Sequence, residues 1–396
     1  MDWNRIDAII TKWGTPERDE WRRLFDKWDG HHWHDRDRPN EKTNVLLVDA
    51  SLVTTDGRPD MGALYEFLES QVQASVSDLY LVSLFPYIGR QTDTAVDPRI
   101  RLYEDLGHFA DDFGLMYDLD PVIFNERQFD VLAETNALIE RLAYGATKIR
   151  VHARSFRGMT TEQVKDVLAL WHEVLHHYKP NGQLILADDA MDDAHPFFKE
   201  VDAICHFDLA SHIILAFAQG DATRLVNRVR KIDAPPEGKT YFNFLSTAER
   251  DPFEKNLVEA PPEAILAAHS ILFSLQGIPS LDYRTVFGVT GPTDRDTLVH
   301  ALKTDGERLK LFSGVLSQAN VKRVQRALSP YASQRVLDTD TRLFAIERKM
   351  EGETIHLYTN VSADEVELHV EGTSLFTGEP VDAVTLPPYG YIWLEI

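Results

Sequence analysis

From Asn44 onward the sequence alternates short, almost wholly apolar runs with stretches of helical period, a pattern that points to a parallel sheet covered by helices. The runs are NVLLVDASL (44–52), DLYLVSLF (78–85), GLMYDLD (114–120), TKIRVHA (147–153), GQLILAD (182–188), AICHFDL (203–209), TYFNFLST (240–247) and GIPSLDY (277–283). Most turn polar only near the end, as strands buried on both faces do. Helical patterns fall between most of them. MGALYEFLESQV follows the first, YEDLGHFADDFG the second and TTEQVKDVLALWHEVLHHY the fourth, with Thr160 and Gln163 spaced as a capping box. Eight such strands over about 250 residues is the count of a TIM (β/α)8 barrel. The doubly wound α/β sheet competes, because strand order is not written in a single sequence.

The two ends read differently. Residues 1–43 predict an amphipathic helix around Trp13 and Trp21 to Trp28, then a polar loop, HHWHDRDRPNEK. After Ser333, RLFAIERK, TIHLYTNVS, EVELHV and TLPPYGYIWLEI are short runs split by Gly, Asp and Pro, the pattern of a small antiparallel β-domain. The expected domains are an N-terminal helical extension (1–43), the barrel (44–333) and a C-terminal β-domain (334–396).

Charge narrows the partners. With 63 acidic against 41 basic residues the formal net charge is −22, a surface that repels nucleic acid and anionic membranes. No apolar run reaches the ~18 residues of a membrane span. The opening MDWNRIDAIITKWG lacks the apolar segment of a secretory signal, and the single Cys205 excludes an internal disulfide. Together these predict a cytoplasmic protein without nucleic-acid or membrane partners.

Several stretches carry a resemblance. Residues 81–118, with VDPR at 96–99, are similar to the second strand, following loop and third strand of sucrose phosphorylase-like members of glycoside hydrolase family 13. Residues 203–223, with Gly220-Asp221-Ala222, resemble that family's sixth-strand region. GIPSLDYRTVFG (277–288) resembles its eighth, and LPPYGYIWL the last strand of its C-terminal β-domain. The resemblance implies the barrel, a carbohydrate ligand and no cofactor. Such proteins cleave α-glucosidic bonds with retention, using an aspartate nucleophile, a glutamate acid/base and a second aspartate at the ends of strands four, five and seven.

At those positions this chain carries His152, Asp188 and Glu249, while Asp118 and Arg150 keep the residue types of the resembled family and are expected to bind substrate. His152 is expected as a polar strand-end residue held by a neighbouring carboxylate. The family's substrate-covering insert also has little room, since Asp120 to Thr147 leaves space for a short loop and one helix. The expectation is therefore a catalytically impaired barrel, retained to bind a small sugar, an α-glucoside or a protein partner. The alternative is a working α-glucoside hydrolase or phosphorylase that pairs Asp188 with Glu249.

One further motif competes. His172-Glu173-Val174-Leu175-His176 matches H-E-x-x-H, the zinc-protease pattern. Val164, Val167, Trp171, Val174 and Tyr178 form the buried stripe of an ordinary barrel helix, with the histidines at its margin and Glu173 toward solvent. That reading expects no metal here, and likewise a solvated turn for His31, His32 and His34.

Overall fold

The computed structural model describes residues 3–12, 18–84, 106–119, 129–188, 196–247 and 260–396. All eight apolar runs contain strands: β1 (Val45–Asp49), β2 (Asp78–Val82), β3 (Gly114–Asp118), β4 (Ala146–His152), β5 (Gln183–Ala187), β6 (Ala203–Cys205), β7 (Thr240–Phe244) and β8 (Ile278–Asp282). They close into one parallel barrel in chain order, β8 pairing with β1, which excludes the doubly wound sheet. Each strand stops one to four residues before its apolar run does. The shortfall is largest at β6, where the Phe207–Gln219 helix begins directly after His206.

The outer layer forms for local reasons. Asp60 and Asp130 cap the Met61–Val72 and Val131–Ala143 helices, each accepting two backbone N–H groups. The Thr160–Gln163 capping box opens the Thr161–Tyr178 helix, and Val164, Val167, Trp171 and Val174 are buried against the barrel. After the Phe207–Gln219 helix, Gly220 takes φ +63°, a left-handed conformation open to glycine at no steric cost. Asp221 then accepts the Thr223 N–H at 2.7 Å, and the Ala222 N–H reaches Thr341 O in the C-terminal sheet at 2.6 Å. The Gly-Asp-Ala turn thus joins two helices to a second layer.

In the N-terminal extension residues 13–17 lie outside the described residues. The described residues contain two helices, Trp3–Lys12 and Arg18–Asp26, and Gly14 and Pro16, both poor helix formers, lie between them in the sequence. The chain then runs beneath the N-terminal ends of the strands. Arg36 Nη2 donates to Ala110 O and Asp111 O, Lys179 Nζ to His34 O and Arg38 Nη2 to Gly238 O. Lys322 Nζ donates to Glu41 O and Thr43 O at 2.8 and 3.0 Å.

The C-terminal strands Ser333–Val336, Leu343–Met350, Glu353–Asn360 and Tyr391–Glu395 pair antiparallel side by side. Trp393, fully buried, seals this sheet to the barrel helix Pro262–Ser274, its indole N–H donating to Ser270 Oγ at 2.8 Å. Trp393→Ala is expected to cost about 3–5 kcal/mol in denaturant unfolding. A loss below about 1 kcal/mol would show that the seam contributes little.

Candidate active site

The C-terminal ends of barrel strands converge on one mouth, and β4 sets its polarity. Side chains alternate along a strand, so Lys148, Arg150 and His152 share one face. Lys148, deepest of the three, pairs with Asp78 of β2. It does so across β3, where Gly114 opposes Asp78; a Cβ on Gly114 would collide with the Asp78 carboxylate. Arg150, 3 % exposed, pairs with Asp118 at 3.1 Å and donates to Tyr80 Oη at 2.6 Å. The Tyr80 hydroxyl donates in turn to Asp118, with Oδ1 at 2.8 Å and Oδ2 at 2.7 Å. Asp118, Arg150 and Tyr80 are thus bonded to one another.

His152 ends β4 and is 5 % exposed. Its Nδ1 accepts the Arg154 N–H at 3.3 Å, capping the turn that follows. With Nδ1 an acceptor, the neutral ring carries its proton on Nε2 and is a donor along that edge. Asp188 follows β5 directly and is half-buried. Glu249, with Ala248, Asp189, Asp120 and Asp251, lies outside the described residues.

Two further carboxylates were not singled out by sequence reasoning. Asp49 ends β1 and accepts from Ser51 Oγ at 2.6 Å and Ser83 Oγ at 2.8 Å. Asp282 ends β8 and accepts from Ser246 Oγ at 2.5 Å and Arg284 Nε at 3.0 Å, while Arg284 Nη2 holds Thr247 O at 2.8 Å. Burial, reinforced by Asp49 and Asp282, pushes the neighbouring Tyr283 phenol up to about 12, so it stays protonated. Their position at the last residue of a barrel strand was the available signal. The mouth offers acceptors already bound to donors, an arrangement that suits a hydroxyl-rich ligand.

The histidines of the H-E-x-x-H motif do not join this mouth. His172 and His176 face Asp202, which precedes β6 at the other end of the barrel. His34 pairs with Asp111 at 3.2 Å.

Comparison with known proteins agrees with the architecture. No protein-family profile matches the chain. It is 22% identical to a glucosylglycerate phosphorylase from Allomeiothermus silvanus, with 90% of this chain and 91% of that protein covered. That alignment runs over 510 positions, more than the 396 residues here, so the relative carries residues this chain lacks. The α-amylase of H. orenii superposes with a TM-score of 0.73 at 14% identity, covering 91% of this chain and all of that one. The cyclic α-maltosyl-(1→6)-maltose hydrolase of Arthrobacter globiformis gives 0.70 at 14% identity, over 90% and 99% of the two chains. An α-amylase from Geobacillus thermoleovorans, solved with acarbose, gives 0.70 at 12% identity over 91% and 99%. What these solved structures share with the chain is the fold, a closed parallel barrel followed by an antiparallel sheet.

Arg150→Met is expected to destabilise the fold by about 3–5 kcal/mol, because it removes the Arg150 charge from a buried ion pair with Asp118. Tyr80→Phe, which removes one hydroxyl, should cost about 1–2 kcal/mol. Equal losses in denaturant unfolding would contradict the ion pair as the dominant partner.

Proposed function

We propose that this chain uses its barrel mouth to bind a small α-glucoside without cleaving it. The carrying observation is His152 at the nucleophile position of β4, buried and with Nδ1 accepting the Arg154 N–H. A retaining nucleophile must attack as an anion and then leave, which a carboxylate does and an imidazole bearing Nε2–H does not. A protonated His152 would also oppose the positive charge that grows on the sugar ring. The likeness to a glucosylglycerate phosphorylase makes glucosylglycerate the first ligand to try.

The test pairs binding with turnover. Calorimetry should detect glucosylglycerate or a related α-glucoside, with binding lost in Asp188→Ala. Incubation with glucosylglycerate and inorganic phosphate, or with α-glucosyl fluoride, should release neither glucose 1-phosphate nor fluoride above background. His152→Asp alone should stay at least about 100-fold below an active family member, since a carboxylate misplaced by ~1 Å already costs that much. Sustained turnover abolished by Asp188→Asn would overturn the proposal and favour the working enzyme with Asp188 and Glu249 as its pair.

A further inference from the structure

A second polar cluster lies on the Thr161–Tyr178 helix, at the N-terminal ends of the strands. His172 and His176 stand one turn apart with ring centroids 4.2 Å from each other. Nε2 of His172 is 3.2 Å from Asp202 Oδ1, and Nε2 of His176 is 3.1 Å from Asp202 Oδ2. The Asp202 side chain is 3 % exposed and its Oδ2 also accepts the Leu184 N–H at 2.9 Å, which fixes the carboxylate to β5. The two histidine side chains keep 24% and 27% exposure, so the cluster is reachable from solvent.

The protons on these groups are constrained. His176 Nδ1 lies 3.0 Å from Pro180 O, which can only accept, so Nδ1 carries a proton. In the neutral ring the Nε2 lone pair then points at a carboxylate oxygen, an arrangement that demands a positive charge between them. A second proton is one way to supply it. Beside the His172 ring a positive charge is already present, because Lys239 Nζ sits 3.4 Å from its Nε2 and 3.3 Å from Asp202 Oδ1. Two imidazole nitrogens and one carboxylate converge, and an ammonium stands against one of those nitrogens and the carboxylate.

The geometry points to a divalent transition-metal site, best suited to Zn²⁺, with Nε2 of His172, Nε2 of His176 and the Asp202 carboxylate as ligands. The three ligand atoms lie within 4.8 Å of one another. A tetrahedral zinc with bonds of about 2.1 Å sets its ligands about 3.4 Å apart, so small side-chain movements suffice. Imidazole with carboxylate favours zinc over calcium or magnesium, which prefer oxygen alone. The Pro180 carbonyl on the far N–H of His176 orients the ring as such acceptors do in metal centres. Burial opposes charge on Asp202, but the bonds from both histidines outweigh it and hold its carboxyl well below the usual range, keeping this ligand anionic. The metal and the Lys239 ammonium are alternative occupants: the flexible lysine stem, 18% exposed, swings to solvent when the metal enters. A bound ion would tie the last turn of the helix to the residue preceding β6. It would act on stability, remote from the sugar site.

The experiment uses the full chain, stripped with a chelator and titrated with Zn²⁺ against a chromophoric competitor, with metal analysis after dialysis. One equivalent should bind, and the thermal midpoint should rise by a few degrees, about what ligand linkage gives at 100-fold excess over Kd. His172→Ala and His176→Ala should each weaken binding by roughly 100-fold or more. Lys239→Ala should tighten it roughly tenfold, by removing the competing charge. Cobalt substitution gives a visible spectrum that reports tetrahedral coordination whether or not stability changes. Substoichiometric zinc would overturn the site and leave a cluster held by protons alone. Zinc retained by the His172→Ala/His176→Ala double variant would equally overturn it, and would place the metal elsewhere, for example among His31, His32 and His34.

Discussion

A packed barrel leaves little water inside, so every ionisable side chain on its inner face must meet an opposite charge. β4 carries two such cations in succession, Lys148 and Arg150, and much of the surrounding sequence answers them. Asp118 stands opposite Arg150 in the register of β3 and β4. Asp78 sits one strand further away and reaches Lys148 only because Gly114, between them, has no side chain. Three residue choices on three strands are therefore one choice. The pairing also fixes the register of β2, β3 and β4, since sliding any of them by one residue would turn a charge toward the apolar helix layer.

Much of this fold was legible because burial on both faces writes strands as continuous apolar runs. DLYLV and QLILA read as buried strands without reference to any neighbour. The strand ends were less legible, since buried residues such as Ala50 and Leu52 continue the apolar run past Asp49, where β1 ends. Tyr80 was missed for a different reason: within an apolar run its ring looks like core, and only Arg150, 70 residues later, gives the hydroxyl its purpose. Asp202 is further still from recognition. It lies 26 residues from His176 with no motif spacing, and barrel closure alone brings the two together. A helix margin that read as solvated thereby acquires a buried anion.

The two ends of the barrel treat charge in opposite ways. At the mouth, Asp49, Asp118 and Asp282 each receive donors from their own or neighbouring strands, so the negative charge is spread through hydrogen bonds and presented to whatever enters. At the base, Asp202 is held between two imidazoles and one ammonium, a concentrated arrangement in which three groups converge on one carboxylate. The first environment suits neutral polyols, which exchange hydrogen bonds at small net cost. The second is set up to exchange one cation for another.

The segment beneath the barrel has a consequence for how the chain comes together. Arg36, Arg38 and the backbone near Glu41 and Thr43 are bonded to Ala110, Gly238 and Lys322, residues spread over some two hundred positions of later sequence. During synthesis the segment emerges first, yet its final partner is among the last barrel residues made. It cannot settle until the ring above it has closed. Its contacts have very large sequence separation, the kind that costs most loop-closure entropy to form. The strap is the clasp of the structure, and clasps are fastened last.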